Sequence, residues 1–227
     1  MINMIKIMVI ADIHGEFEKI SKLIERLKKH DFDILISPGD FTDMLNTPEG
    51  YSQNDIGEII LQKLISLGKP VLCVPGNHEP YDIIDVFDEY DVNIHKSVKK
   101  SSGMEFIGFG GAATPFNTKF EPTDEEIRAG LDETMKKIKG RFILVTHNPP
   151  LGTKLDTTEA GKHVGSKAIR DFILKNKPVL AISAHIHEAG GVDKLGDTVL
   201  FYPGIAYEGY YGLVEIGKEV KCEIKKF

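Results

Sequence analysis

The sequence has little cysteine and no excess of basic residues. Its only cysteines, Cys73 and Cys222, lie far apart and form no CxxC pair. A disulfide framework is therefore not expected, and a reducing cytoplasm is the simpler location. Lysine and arginine total 28 against 34 aspartates and glutamates, which gives a net charge of −6 without a basic stripe. This balance argues against an extensive nucleic-acid-binding surface.

Long apolar runs are also missing. No stretch approaches the roughly 18–20 apolar residues of a membrane span, so no membrane partner is expected. The apolar run before Asp12 contains Asn3 and Lys6 and lacks a small-residue cleavage site. It predicts a buried strand rather than a signal peptide. Because no repeat, low-complexity tract or Ser/Gly linker divides the chain, one domain over residues 1–227 is predicted; the oligomeric state stays open.

Short apolar runs alternate with amphipathic helices along most of the chain. Strands are predicted at Lys6–Ala11, Ile34–Ser37, Pro70–Val74, Glu105–Gly108, Phe142–Thr146 and Val179–Ser183. Helices are predicted through Phe17–Leu27, Ile56–Leu64, Ile83–Tyr90, Ile127–Ile138 and Ile169–Ile173. After Gly190 four short strands follow, at Gly191–Leu195, Val199–Tyr202, Tyr211–Ile216 and Val220–Ile224. This order predicts an α/β sandwich with mixed sheets.

Polar side chains follow five of the predicted strands directly. They are Asp12 and His14, then Asp40, then Asn77 and His78, then His147, and finally His185 and His187. Ligands of open α/β sheets bind outside the carboxyl ends of the strands, so these side chains are expected at one edge. Each has an ordinary explanation alone, as a turn former or helix cap, but five of the eight histidines at strand exits are hard to explain in that way. The other candidates, His30 and His95, are interpreted as ordinary surface or hydrogen-bonded histidines.

A set of imidazoles, carboxylates and one amide, without thiolate, suits divalent Mn, Fe, Co, Ni or Zn. Seven potential ligands are too many for one ion and suit two. Two metals about 3.5–4 Å apart can hold both the attacking and the leaving oxygen of a displacement at phosphorus. Asp40 can bridge them if each of its oxygens binds one metal. His185 and His187, two residues apart, can face the same side only if the backbone between them is extended.

The order of these blocks resembles the calcineurin-like metallophosphoesterase family. The blocks are Asp12-Ile13-His14, Gly39-Asp40-Phe41-Thr42-Asp43, Gly76-Asn77-His78-Glu79, the isolated His147, and Ala184-His185-Ile186-His187. They span residues 12–187 in the order of the family pattern. One position differs, because Ala184 stands where the family usually has glycine. Alanine keeps a small side chain but cannot adopt the backbone conformations that only glycine allows.

The resemblance implies a four-layer α/β/β/α sandwich, with two mixed β-sheets flanked by helices. It also implies two divalent metal ions, with Mn²⁺ favoured and Fe, Ni, Co or Zn as options. Their ligands would be Asp12, His14 and His187 for the first ion, Asn77, His147 and His185 for the second, and Asp40 as the bridge. His78 would contact the phosphate and protonate the leaving oxygen. The implied reaction is in-line attack of a dimetal-bridged hydroxide on a small phosphate ester, with phosphodiesters favoured.

The sequence leaves several alternatives open. The fold could instead serve as a non-catalytic metal-binding or protein-interaction scaffold, and a monoesterase cannot be separated from a diesterase. Asp43 and Glu79 could each orient a histidine through its second ring nitrogen, or could complement a helix terminus. Two long loops, Gly110–Pro122 and Asn148–Val164, could bind an organic leaving group or simply pack.

Two weaker signals have ordinary explanations. Lys167 and Arg170 could meet phosphate, but a solvated helix face is favoured. The segment Gly108–Ala113 fits G-x-G-x-x-A after a strand, as in dinucleotide-binding motifs. Because the following Thr114-Pro115-Phe116-Asn117 does not continue as a helix, this match is set aside.

Overall fold

Two mixed β-sheets pack face to face, and α-helices cover both outer faces of the pair. The computed structural model describes residues 4–227, so residues 1–3 of the expected single domain lie outside it. The strands of this part are β1 Ile5–Val9, β2 Ile34–Ser37, β3 Val71–Cys73, β4 Val98–Ser101, β5 Met104–Phe109, β6 Phe142–Thr146, β7 Leu180–Ile182, β8 Gly191–Leu195, β9 Thr198–Tyr202, β10 Tyr210–Ile216 and β11 Val220–Lys226. The helices are α1 Phe17–Leu27, α2 Gln53–Ile65, α3 Ile83–Glu89, α4 Asp124–Met135 and α5 Lys167–Asn176.

Both sheets combine parallel and antiparallel strands, with the antiparallel strands on one side of the first sheet and at both edges of the second. The first sheet has the order β11-β10-β1-β2-β3, in which β1, β2 and β3 run parallel. The second has the order β4-β5-β6-β7-β9-β8, in which β5, β6, β7 and β9 run parallel. The carboxyl ends of these parallel strands therefore lie at one edge of each sheet, as ligand-binding α/β proteins require.

Alternation of side chains along the strands explains the layers. In β1, Ile7 and Val9 pack toward the second sheet, whereas Met8 packs toward the helices. Three separate apolar clusters result: one between the first sheet and α1–α3, one between the sheets, and one between the second sheet and α4–α5. Each large aliphatic side chain that is fully buried there stabilises the fold by about 1.5–3 kcal/mol. Three apolar interfaces need four layers, which confirms the predicted α/β/β/α sandwich.

The differences from the predicted elements lie in exposed segments. Strand β4 was missed because its Val-Lys-Lys-Ser sequence is half-exposed and has little apolar alternation. Helix α4 begins after a capping box formed by Thr123 and Glu126, and it ends at Met135, before the predicted end at Ile138. No helix within residues 4–227 is long and apolar enough to span a membrane.

His95 and His30 are hydrogen-bonded, in agreement with their interpretation as ordinary histidines. The His95 ring is buried between Phe109 and Phe120, at centroid distances of 4.7 and 5.4 Å. Its Nδ1 accepts a 2.9 Å hydrogen bond from the Gly110 N–H, and His30 Nε2 lies 3.0 Å from the Tyr211 hydroxyl. Burial lowers the pKa of His95 to about 3.

The buried His95 predicts a loss of stability in mild acid. Below the ordinary histidine pKa of about 6.5, the unfolded chain binds a proton that the folded chain excludes, so stability falls between about pH 6.5 and pH 3. At pH 5 this one group costs about 2 kcal/mol of unfolding free energy relative to pH 7.5. In His95→Asn, the amide oxygen can still accept from Gly110 but cannot titrate. Urea unfolding from pH 7.5 to 4.5 should show a smaller loss in the variant; parallel losses would contradict the assignment.

Candidate metal centre

Four of the predicted ligands form one compact group at the carboxyl ends of the parallel strands. Asp12, His14, Asp40 and His187 each offer an atom within 4.8 Å of the others. The His14 and His187 Nε2 atoms are 3.1 Å apart. Two nitrogens that bind one zinc-like ion at about 2.1 Å can be at most about 4.2 Å apart, so this spacing fits a shared ion.

Three further residues complete a second group around the same carboxylate. Asp40, His147 and His185 bring one potential ligand atom each within 4.8 Å of the others. The Asn77 Oδ1 atom lies 2.9 Å from His147 Nε2, so the predicted amide also faces this group. All seven predicted ligands thus meet in two adjoining groups that share Asp40.

A single oxygen of Asp40 faces both groups. Its Oδ2 lies 3.6 Å from His14 Nε2 and 3.3 Å from His147 Nε2. The other oxygen, Oδ1, instead accepts a 3.0 Å hydrogen bond from the His78 backbone N–H. This arrangement differs from the expectation that each oxygen serves one metal, because the backbone contact holds Oδ1.

The backbone near His185 also differs from the expectation. His185 has φ 79° and a short 3-10 turn starts at His187, so only Ile186 between them is extended. The turn sends the two histidines to different groups, with the His185 ring 5.1 Å from that of His147 and the His187 ring 5.0 Å from that of His14. Ala184 fits without a glycine-only conformation, because the left-handed backbone falls on His185 instead.

Left-handed backbone recurs at the predicted ligands. Asp12, His14, Asp40 and His185 have φ between 50° and 79°. Such conformations cost non-glycine residues about 1–3 kcal/mol each and persist where the surroundings impose them, commonly at functional sites. Aspartate and histidine tolerate this region better than most residues. Within residues 4–227, four of the nine non-glycine residues with positive φ are predicted ligands, so strain is concentrated at this edge of the sheets.

Glu79 holds two ligand-bearing loops together. Its carboxylate accepts hydrogen bonds from the backbone N–H groups of Asp40 at 3.0 Å, Thr42 at 2.9 Å and Gly76 at 2.6 Å. Both interpretations proposed for Glu79 are wrong, since it contacts neither a histidine nitrogen nor a helix terminus. Burial, with the adjacent Asp40 carboxylate, raises the pKa of Glu79 to about 7.

Close contact between these loops explains the glycine before Asn77. A Cβ atom on Gly76 would clash with the Asp40 side chain and backbone. The motif match at Gly108–Ala113 has a similar origin, because a Cβ on Gly110 would clash with Pro75. These glycines permit close packing of neighbouring loops.

Tyr202 is a site residue that the sequence analysis missed. Its buried hydroxyl donates a 2.5 Å hydrogen bond to Asp12 Oδ2, while Asp12 Oδ1 lies 4.0 Å from His187 Nε2. Burial raises the pKa of Tyr202 well above its usual value, which keeps the phenol a donor. Tyr202 is the last residue of β9, a parallel strand that ends at the same edge, so the strand-end rule would have found it.

His78 lies at the entrance to the first group. Its ring centroid is 4.8 Å from that of His14, and its Nδ1 lies 3.4 Å from the Asp43 carboxylate. For Asp43, this proximity agrees with the option that it orients a histidine, and the same Nδ1 accepts a 3.5 Å hydrogen bond from the Met44 N–H. The side chains of His78 and Asp43 are partly exposed, at 22% and 27%, as is that of the predicted ligand His187, at 34%. All three face solvent, whereas Asp40 is buried.

The electrostatics of the second group fit a cation. Burial opposes charge on His147, but the Asp40 and Asp12 carboxylates outweigh it and raise its pKa to about 9. Although Asp40 is also buried, His147 and His14 hold its pKa well below the usual value. In the metal-free chain a proton on His147 therefore neutralises Asp40, and a bound cation would replace that proton. Burial and the nearby His147 lower the pKa of His185, in contrast to that of His147. His185 is therefore neutral, and its ring nitrogen can bind a metal ion.

Parts of both long loops line a cleft beside the metal groups, whereas the nearby lysines and arginine do not. A cleft of about 620 Å³ opens onto the metal groups; its walls include Thr114 and Phe116 of the first loop and Thr158 and Val164 of the second. Other polar, aromatic and cationic residues of the two loops and of α5 do not line it: Asn117, Phe120, Lys154, Lys162, His163, Lys167 and Arg170. His163 bonds to the buried Asp156, Lys167 pairs with Asp171 at the surface, and Arg170 donates to the Leu151 carbonyl.

Fold and site together define a metallohydrolase-like α/β sandwich. The calcineurin-like phosphoesterase family model matches residues 5–189, and the chain belongs to that family. The uncharacterized protein MJ1162 of Methanocaldococcus jannaschii is 37% identical over 211 residues, which cover 89% of each chain. These matches confirm the predicted family, whose members are metal-dependent phosphoester hydrolases.

Solved structures agree with this fold. The protein TT1561 of Thermus thermophilus superposes with a TM-score of 0.79 at 17% identity, over 99% of both chains. A dimetal phosphatase from Danio rerio superposes with a TM-score of 0.63 at 11% identity, over 96% of this chain and 98% of that one. At these identities the superpositions establish the architecture alone.

Tyr202→Phe is predicted to weaken metal binding without unfolding the chain. The change removes only the hydroxyl that orients Asp12, and loss of such a supporting hydrogen bond typically costs roughly 10–100-fold in metal affinity. Calorimetric Mn²⁺ titration would measure the effect. Tyr211→Phe is the matched control, because its hydroxyl bonds to His30, away from the metal groups. Equal Mn²⁺ affinity in both variants would contradict the role of Tyr202.

Proposed function

We propose that this protein hydrolyses phosphate esters, with phosphodiesters favoured, at a centre of two divalent metal ions. Asp12, His14 and His187 would hold one ion and Asn77, His147 and His185 the other, with Asp40 between them. The observation that carries the proposal is Asp40 Oδ2, which faces a histidine nitrogen of each group at 3.6 and 3.3 Å. The mixture of imidazole and carboxylate donors supports Mn²⁺ first, with Fe, Co, Ni or Zn as alternatives.

When bound, two such ions supply hydroxide at neutral pH and offset the charge of the phosphoryl oxygens in an in-line displacement. The chain's own residues orient the metal ligands and donate a proton to the leaving group. Glu79 fixes the Asp40 and Gly76 loops relative to one another, so the two ligand groups keep their spacing. The Nδ1 atom of His78 faces Asp43, so its Nε2 would contact the substrate and protonate the leaving oxygen.

The cleft supports a diester rather than a small monoester. Its volume of about 620 Å³ leaves room for an organic group on each side of a phosphate. Both long loops contribute to its walls, so they are well placed to determine which ester enters. A small phosphate ester remains the proposed partner. Both cysteines are free, which supports the cytoplasm as its location.

Metal analysis combined with a substrate panel tests the proposal. The purified chain, loaded in turn with Mn²⁺, Fe²⁺, Co²⁺, Ni²⁺ and Zn²⁺, should bind two ions and hydrolyse bis(p-nitrophenyl) phosphate. The panel should include p-nitrophenyl phosphate and cyclic nucleotides, with faster hydrolysis expected for diesters. Absence of activity with every metal and ester would favour the non-catalytic scaffold instead.

A further inference from the structure

We propose that the cleft selects phosphodiesters that carry an apolar alkyl or aryl group and rejects substrates with additional phosphates. This inference rests on the proposed function and concerns the part of the substrate beyond the reacting phosphate. Its basis is the apolar part of the cleft lining, which lies beside the metal ligands. The apolar side chains of that wall are Met44, Leu45, Pro115, Phe116, Ile186 and Val164.

The apolar wall is unusually exposed. Leu45 and Phe116 have 84% and 81% of their surface accessible to solvent, and Val164 has 42%. Single exposed apolar residues are common, but several that share one concave surface indicate a binding site. Of the eight large hydrophobic residues that are exposed within residues 4–227, three line this one cleft. An apolar ligand group would remove their surface from water.

Positive charge is missing from the same walls. The lining that the structure describes contains neither lysine nor arginine, while Glu188 adds a carboxylate. Two dications with Asp12 and Asp40 leave a local charge of about +2, enough for one phosphate group. Proteins that bind further phosphates usually supply arginine or lysine for them. A phosphodiester, with a single negative charge, matches this balance better than a nucleoside diphosphate or triphosphate.

The wall is also held in place. Thr114 Oγ1 accepts from the Phe116 N–H at 3.1 Å and donates to Glu121 at 2.7 Å, and Glu121 accepts from the Thr118 N–H at 2.6 Å. On the opposite side, Glu188 accepts from the Glu159 N–H at 3.0 Å, which ties the second loop to the metal edge. A preformed apolar wall binds a ligand without first having to be ordered.

Alkyl p-nitrophenyl phosphates test the inference, because their leaving group stays constant while the apolar group grows. From the methyl to the butyl ester, KM should fall about tenfold at nearly constant kcat, since each half-buried methylene contributes about twofold. The double variant Leu45→Ser and Phe116→Ser should abolish most of this trend. Leu174→Ser is the matched control, because Leu174 is 44% exposed on α5, outside the cleft.

Binding without turnover gives an independent measurement. Dimethyl and dibutyl phosphate have poor leaving groups, so calorimetry on the Mn²⁺-loaded protein can compare their affinities. Dibutyl phosphate should bind more tightly than dimethyl phosphate to the wild type and to Leu174→Ser. Hydrolysis with equal KM for methyl and butyl esters, or a preference for nucleoside triphosphates, would overturn the inference while the proposed function stands. If no ester is hydrolysed but dibutyl phosphate still binds more tightly than dimethyl phosphate, the proposed function is contradicted and the apolar site is not.

Discussion

Asp40→Asn should release both metal ions together and reduce phosphodiester hydrolysis on the order of 10³-fold or more, since several kcal/mol of transition-state stabilisation depend on bound metal. Asp40 is the residue shared by the two ligand groups, and its Oδ2 lies between His14 and His147. An amide has nearly the same shape but lacks the negative charge that holds two dications. Metal content per chain, by mass spectrometry, should fall from two toward zero.

Two comparisons make this result specific. Asp43→Asn removes a carboxylate that is three residues away and contacts His78, so metal content should stay at two. Asp12→Asn should deplete the first group more than the second, because Asp12 belongs to one group only. Circular dichroism would show whether each variant is folded. A folded Asp40→Asn protein that keeps both ions, or loses only one, would exclude the bridging role.

The sequence was sufficient to predict most of the candidate site because its ligands follow strands. Parallel strands place their carboxyl ends at one edge, so Asp12, Asp40 and His147 could be brought together without knowledge of the strand order. The buried strands could be predicted for a related reason. Their apolar runs are bounded by glycine, asparagine and aspartate, which mark the start of turns.

Contacts across the two sheets could not be predicted in this way. The strand-end rule places Tyr202 at the site, but its contact with Asp12, 190 positions away, depends on how β9 lies against β1 across the interface. The role of Glu79 depends on the separation of two loops whose backbones nearly touch at Gly76. Likewise, the turn at His185 is set by packing at the sheet edge, since histidine has no strong preference that reveals φ 79° in advance.

The proposed role of His78 predicts a second large loss of activity, this time without loss of metal. His78→Ala should keep both metal ions and lower kcat by about 10²–10⁴-fold, the usual contribution of a positioned general acid. The structure makes metal content a necessary measurement, because His78 also lies with His14 and Asp43 in a group of potential ligands. A general acid matters most when the leaving group is a strong base, so alkyl leaving groups should suffer more than p-nitrophenolate.

A pair of diesters with the same retained group separates these effects. The ratio of wild-type to variant kcat should be large for an alkoxide leaving group and close to one for p-nitrophenolate, which departs without a proton. Asp43→Asn should show the same pattern more weakly, because it disturbs only the carboxylate at 3.4 Å from His78 Nδ1. Equal loss for both leaving groups at full metal content would mean that His78 stabilises the phosphoryl oxygens and donates no proton. Loss of a metal ion from His78→Ala would instead identify His78 as a metal ligand.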